Sequence, residues 1–138
     1  MYKKINYLTT IAKKRSLTSY FFHKASSRVL PVETSVPRLN TSKATPSVYN
    51  TIKRMLVATG AMVSSIKLYL YRDGIFYTYI TLRMQSNEYD INSCFIDALY
   101  ISRLFNAPIY ARDQVIRCCG IKVTKEQIEQ ALKETSIT

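Results

Sequence analysis

Three carboxylates, Glu88, Asp90 and Asp97, lie within ten residues of one another. They are the residue type that metal-assisted phosphodiester cleavage requires. Oxygen ligands converging on Mg²⁺ or Mn²⁺ let the ion activate water or stabilise charge on a phosphate. On a strand Glu88 and Asp90 would share a face, and Asp97 would reach toward them from the first turn of a following helix. The same acids also suit a solvated strand end and the positive N-terminus of a helix, so a metal site and a structural role both stay open. The only histidine, His23, lies far upstream and offers no general base, which leaves Asp97 as the candidate catalytic residue. Cys94, beside the same helix start, is either a thiol with a lowered pKa or an inert cysteine. Cys94, Cys118 and Cys119 are odd in number and lack the spacing of a zinc site, which points to a reducing compartment.

A second group of residues could bind rather than cleave. Tyr69, Tyr71, Tyr77 and Tyr79 alternate along two adjacent apolar runs, near Lys67 and Arg83. Exposed on one side of a hairpin, the rings could stack on bases while the cations meet phosphates. They would equally serve a protein interface, since tyrosine combines rigid apolar area with a hydroxyl, or ordinary packing within the fold.

The elements that must position these groups follow from periodicity. Thr45-Pro46 is a helix start, and Val48, Ile52, Met55, Leu56 and Thr59 recur at helical spacing before Gly60, which predicts a helix over 46–59. The period then becomes two. Ile66, Leu68 and Leu70, then Phe76, Thr78, Ile80, Leu82 and Met84, alternate with the tyrosines around Asp73-Gly74, the signature of a β-hairpin. A short strand through 89–91 follows a turn at 85–87. A second helix runs from Asn92 or Ser93 to before Asn106, with Phe95, Ala98, Leu99, Ser102 and Phe105 inward and Arg103 toward water. Residues 107–111 read as extended, because a residue before proline avoids helical geometry. Asp113 is placed to cap a short helix ending at Gly120. Thr124 and Gln127 have capping-box spacing for a last helix with Ile128, Ala131 and Leu132 on its apolar face. The expected fold is α+β: helices packed on a small, mainly antiparallel or mixed sheet, formed by residues 45–138.

The charge is unevenly distributed. Residues 1–71 hold 12 Lys/Arg and one acid, Glu33, for a balance of +11, while residues 72–138 hold eight of each, for a balance of zero; together they give the net +11. Such a front half is drawn to phosphate or an anionic membrane surface. Met1 to Val32 has no acid and is rich in Ser and Thr; as a helix it would place Ile5, Leu8, Ile11 and Ala12 on one face. These features fit a transit peptide to the mitochondrion or, alternatively, the plastid; a retained basic arm and an uninformative tail are the other readings. Residues 30–45 read as a linker or extension, so residues 1–44 are expected to stand outside the core. No apolar run is long enough for a transmembrane helix.

The order of elements and several short motifs resemble the bifunctional nuclease domain family, also called the family of uncharacterised function 151. Thr45 to Ala61 looks like the family's helix and Leu-Gly-Ala turn, and Asp73-Gly74-Ile75-Phe76-Tyr77 resembles its Gly-x-Phe-Tyr-Ala hairpin motif. Ile91 to Leu99 sits where the family reads Ile-Asp-x-Arg-Pro-Ser-Asp-Ala-Ile. Asn106-Ala107-Pro108-Ile109-Tyr110 and Gly120-Ile121 are similar to Gly-Ala-Pro-Ile-Tyr and a terminal Gly-Ile. The resemblance implies the family fold over Thr45 to Ile121 and a relation to enzymes that cleave DNA and RNA. The polar motif departs from the pattern, however. Asn92, Cys94, Phe95 and Ile96 replace Asp, Arg, Pro and Ser, leaving Asp97 and Ala98, and the usual upstream strand and helix find no match in residues 29–44.

The leading expectation is therefore a non-catalytic component of an organellar multiprotein or ribonucleoprotein assembly, for example a mitochondrial ribosome, with other proteins and RNA as partners and no cofactor. The alternatives are a Mg²⁺- or Mn²⁺-dependent nuclease and a self-associating protein-binding module built on the tyrosine face.

Overall fold

The computed structural model describes residues 1–35, 48–124, 126–127 and 129–130. Its elements run β1 (Tyr2–Ala12), β2 (Ser16–His23), β3 (Arg28–Ser35), α1 (Val48–Ala58), β4 (Ala61–Arg72), β5 (Ile75–Met84), β6 (Asn87–Cys94), α2 (Phe95–Phe105), β7 (Ile109–Arg112), α3 (Asp113–Cys119) and β8 (Ile121–Lys122). The strands form one mixed sheet in the order β6-β5-β4-β7-β1-β2-β3-β8. Among the described residues only β4 and β7 pair in parallel, through Ile66–Ile109, Lys67–Tyr110 and Leu68–Ala111. The fold is α+β, as the periodicities imply.

The hairpin forms where the alternation places it. Asp73 and Gly74 both have positive φ, 52° and 78°, the geometry of the two-residue turn whose twist matches that of paired strands. Ile66, Leu68, Phe76, Thr78 and Ile80 are buried beneath it. After a second tight turn, with Gln85 at φ 57°, β6 extends well beyond 89–91 and pairs with β5 along its full length, from Met84–Asn87 to Tyr77–Cys94. Helix α2 buries Phe95, Ile96, Ala98, Leu99, Ile101 and Ser102, while Arg103 is exposed; Asn106, left-handed at φ 53°, closes it. Asp113 lies within the first turn of α3 rather than at its cap, and its backbone N–H donates to the Met1 carbonyl at 3.0 Å. The capping box forms: Thr124 N donates to Gln127 Oε1 at 2.9 Å, and Gln127 N to Thr124 Oγ1 at 3.2 Å. Thr45-Pro46 and the face of Ile128, Ala131 and Leu132 lie outside the described residues.

Two further expectations are corrected. On α1, Val48 and Met55 are 63% and 64% exposed, so the inward side is Tyr49, Ile52 and Leu56. The apolar spacing fits either face, and a hydrogen bond from Tyr49 to α2, described below, selects the observed one. The larger correction concerns the front of the chain. Residues 2–35 are neither helical nor outside the core: they supply β1, β2 and β3. Ile5, Phe21, Leu30 and Val32 are buried with the central strands and helices in one hydrophobic cluster. β-Branched and aromatic residues in this stretch gain more from a pleated, half-buried surface than from an isolated helix. β1 pairs antiparallel with β7 from Tyr2–Arg112 to Ile5–Ile109, and β2 and β3 continue the sheet outward. His23, on β2, hydrogen-bonds Ser26 Oγ through Nδ1 at 2.6 Å.

Phe21 tests this arrangement, being fully buried with its ring edge-on to Phe95 of α2 at 5.6 Å. Phe21→Ala is expected to lower unfolding free energy by about 3–5 kcal/mol in a urea titration. A change below about 0.5 kcal/mol, as at an exposed position, would return residues 1–35 to the status of an arm.

Candidate functional site

Cross-strand registry determines which side chains share the sheet face that carries Lys67. Lys67 stands opposite Tyr79 on β5 and Tyr110 on β7, and Tyr79 stands opposite Asn92 on β6. Tyr110 stands opposite Lys4 on β1, whose Tyr2 faces Arg112. Residues directly opposite in a sheet point the same way, so these groups form one surface across five strands. At its centre the Tyr69 and Tyr79 rings stack at 3.9 Å and 14°, with Tyr77 at 6.1 Å from Tyr69. The Tyr69 hydroxyl donates to Asn92 Oδ1 at 2.8 Å; burial, then the neighbouring Tyr79, raises its pKa. Lys67 Nζ and the Arg112 guanidinium each lie 5.4 Å from the centre of the Tyr2 ring, within cation–π reach.

Tyr71 does not join this surface. A β-bulge between Leu68 and Leu70 inserts one residue into β4, and a one-residue slip reverses which side each later side chain faces. Tyr71 therefore pairs with Phe76, ring centres 4.7 Å apart, and lines a cavity on another part of the molecule. Conversely, Tyr2, Lys4, Tyr110 and Arg112 belong to the surface but escaped the sequence reading. The alternation of Tyr110 and Arg112 was a usable signal; the placement of Tyr2 and Lys4 needed the β1–β7 pairing.

The carboxylates are not brought together. Glu88 pairs with Arg83, Nη2 to Oε1 3.2 Å, and Asp90 accepts from Thr81 Oγ1 at 2.6 Å while Lys67 Nζ lies 3.5 Å away. Asp97 lies elsewhere, on the first turn of α2. Its Oδ1 accepts from the Tyr49 hydroxyl at 2.6 Å and its Oδ2 from the Cys94 thiol at 2.8 Å. Among the described residues no three His, Cys, Asp or Glu side chains are grouped as a metal ion would need, so Glu88, Asp90 and Asp97 do not fit as a shared Mg²⁺ or Mn²⁺ site. The cause is geometric: β6 continues to Cys94, so α2 starts at the strand's far end from Glu88.

Asp97 instead holds α1 against α2. Burial, then the bond to Asp97, raises the pKa of Tyr49, whose ring lies 5.1 Å from Tyr100. Burial, then Asp97, likewise raises the Cys94 thiol, so the helix terminus does not create a reactive thiolate there. Asp97 thus serves as a shared acceptor.

With this geometry in view, the family assignment is direct. Residues 34–124 match the bifunctional nuclease domain, which is more than half of the chain, and the protein belongs to that family. No curated protein matches the chain. The matched segment begins at the end of β3, so β1 and β2 lie before it although they sit between its β7 and β8 in the sheet.

Tyr49→Phe is expected to cost about 1–2 kcal/mol near neutral pH, through loss of a hydrogen bond to a carboxylate. Because the folded-state pKa of Tyr49 is raised, its contribution is fully present below the unfolded tyrosine value near 10 and is lost as pH climbs toward the folded value. Urea unfolding of the two proteins at pH 7 and above pH 10 should show the difference shrinking. A pH-independent difference would contradict the Tyr49–Asp97 bond.

Proposed function

We propose that the protein is a non-catalytic nucleic-acid-binding member of the bifunctional nuclease domain family, contacting single-stranded RNA as part of a larger assembly. The observation that carries this reading is the stacked Tyr69–Tyr79 pair on a sheet face that also presents Tyr2, Tyr77, Tyr110, Lys4, Lys67 and Arg112. Aromatic rings on a sheet offer bases a stacking platform, and cations around them meet the backbone. A net charge of +11 adds long-range attraction for a polyanion. The engaged state of Glu88, Asp90 and Asp97 supports binding without turnover.

The proposal keeps residues 2–35 in the working protein, because they supply Tyr2 and Lys4 as well as part of the core. A second reading, a divalent-cation-dependent nuclease, is favoured by family membership together with the retained Asp97.

Fluorescence anisotropy with a labelled single-stranded RNA separates the two. The intact protein should bind with an affinity that falls with salt, and Tyr69→Ala or Tyr79→Ala should weaken binding by about 1–3 kcal/mol, roughly 5- to 150-fold. Tyr69→Phe should retain most of the affinity, and circular dichroism checks the fold of each variant. The labelled RNA should remain intact in Mg²⁺ and Mn²⁺. Cleavage that disappears in Asp97→Asn would replace the proposal with the nuclease reading, and binding unchanged in both alanine variants would remove the sheet face from it.

A further inference from the structure

Away from the tyrosine surface, a cavity of about 630 Å³ lies among the last turn of α3, the β4–β5 hairpin tip and the β2–β3 hairpin. Cys118 and Cys119 line it from α3, Tyr71 and Phe76 from the hairpin tip, and Arg15 and Glu33 from the front of the chain. Both cysteines are free thiols; Cys118 is exposed and Cys119 half-buried. The backbone carrying them is held in place. Arg28 Nη1 of β3 donates to the carbonyls of Arg117 and Gly120, each at 3.3 Å, on either side of the pair. Gly120 N donates to Ile116 O at 2.7 Å, and a Cβ at Gly120 would collide with that carbonyl oxygen. Two adjacent thiols are thus presented to a cavity by a fixed turn, in a part of the molecule with no role in the proposed RNA contact.

We propose that Cys118 and Cys119 form a two-sulfur binding site for a soft monovalent metal ion of the Cu(I) type. The donor set selects the ion. Ca²⁺ and Mg²⁺ need several oxygen ligands, and a structural Zn²⁺ needs four ligands, whereas among the described residues no third His, Cys, Asp or Glu joins the two thiols. Thiolates prefer soft ions, and Cu(I) accepts two sulfur ligands. The Tyr71 and Phe76 rings give the cavity an aromatic wall. Binding releases the two thiol protons to solvent and leaves one net negative charge on the ion with its two thiolates. Arg15, which shares the cavity with Glu33, and Arg28, behind the turn, supply positive charge there.

Anaerobic titration of the reduced full-length protein with Cu(I), in competition with bicinchoninate, tests the site. One ion per chain should bind, Cys118→Ser should weaken it at least tenfold, and Cys94→Ser should leave it unchanged. Cys118 is exposed, so its serine variant should fold; circular dichroism checks this, and X-ray absorption of the wild-type complex should show two sulfur neighbours. Binding that survives in Cys118→Ser, or that is lost in Cys94→Ser, would overturn the proposal. So would failure to compete with bicinchoninate, or a ligand shell without two sulfurs.

Discussion

The parallel pairing of β4 with β7 is the contact on which the rest of the architecture hangs. Ile66, Leu68, Ile109 and Ala111 meet there, all buried, and Ile66 N donates to Pro108 O at 3.0 Å where β7 enters. Parallel neighbours cannot be joined by a tight turn, so the chain between them must cross over the sheet. That crossover is β5, β6 and α2, which lays Phe95, Ala98 and Leu99 over the strands and brings Asp97 to Tyr49. The other edge of β7 is then open, and β1 takes it. Without β7 in place, β1 would have no central strand to extend.

The electrostatics divide along the same lines. Each acid of the β6–α2 region has a specific partner: Arg83, Lys67 with Thr81, or Tyr49 with Cys94. The surface pairs contribute little to stability, about 0–1 kcal/mol each, but they determine which charges remain available to a ligand. Lys67 is balanced by Asp90, so the positive character of the tyrosine surface rests on Arg112 and Lys4, one of which comes from before the family-matched segment. The front strands thus add Lys4 to a surface whose other cation, Arg112, lies within the family-matched segment.

Local signals and long-range ones were legible to different degrees. The Asp73-Gly74 turn, the two strands beside it, α2 and the Thr124–Gln127 capping box are encoded by neighbours a few residues apart, and they form as the spacing implies. The β1–β7 pairing is encoded by residues over a hundred positions apart, and nothing within Met1 to Val32 reveals that an open strand edge awaits it. A basic, acid-free stretch with Ile5, Leu8, Ile11 and Ala12 suits a short amphipathic helix when read alone. It is the burial of Ile5 beside Ile109 that turns it into a strand. The acidic cluster failed for a related reason: sequence proximity does not carry across a strand that continues straight to the helix start.

The bulge in β4 shows how one residue partitions chemistry. Strict alternation would put Lys67, Tyr69 and Tyr71 on one face, as a single aromatic stripe. The extra residue between Leu68 and Leu70 keeps Tyr69 stacked on Tyr79 but turns Tyr71 to Phe76 and the cavity of Cys118 and Cys119. The consequence is two separate aromatic surfaces from one hairpin, one beside cations and one beside thiols. A ligand that stacked on the first would not meet the second, because the two surfaces share only β4 as their common support.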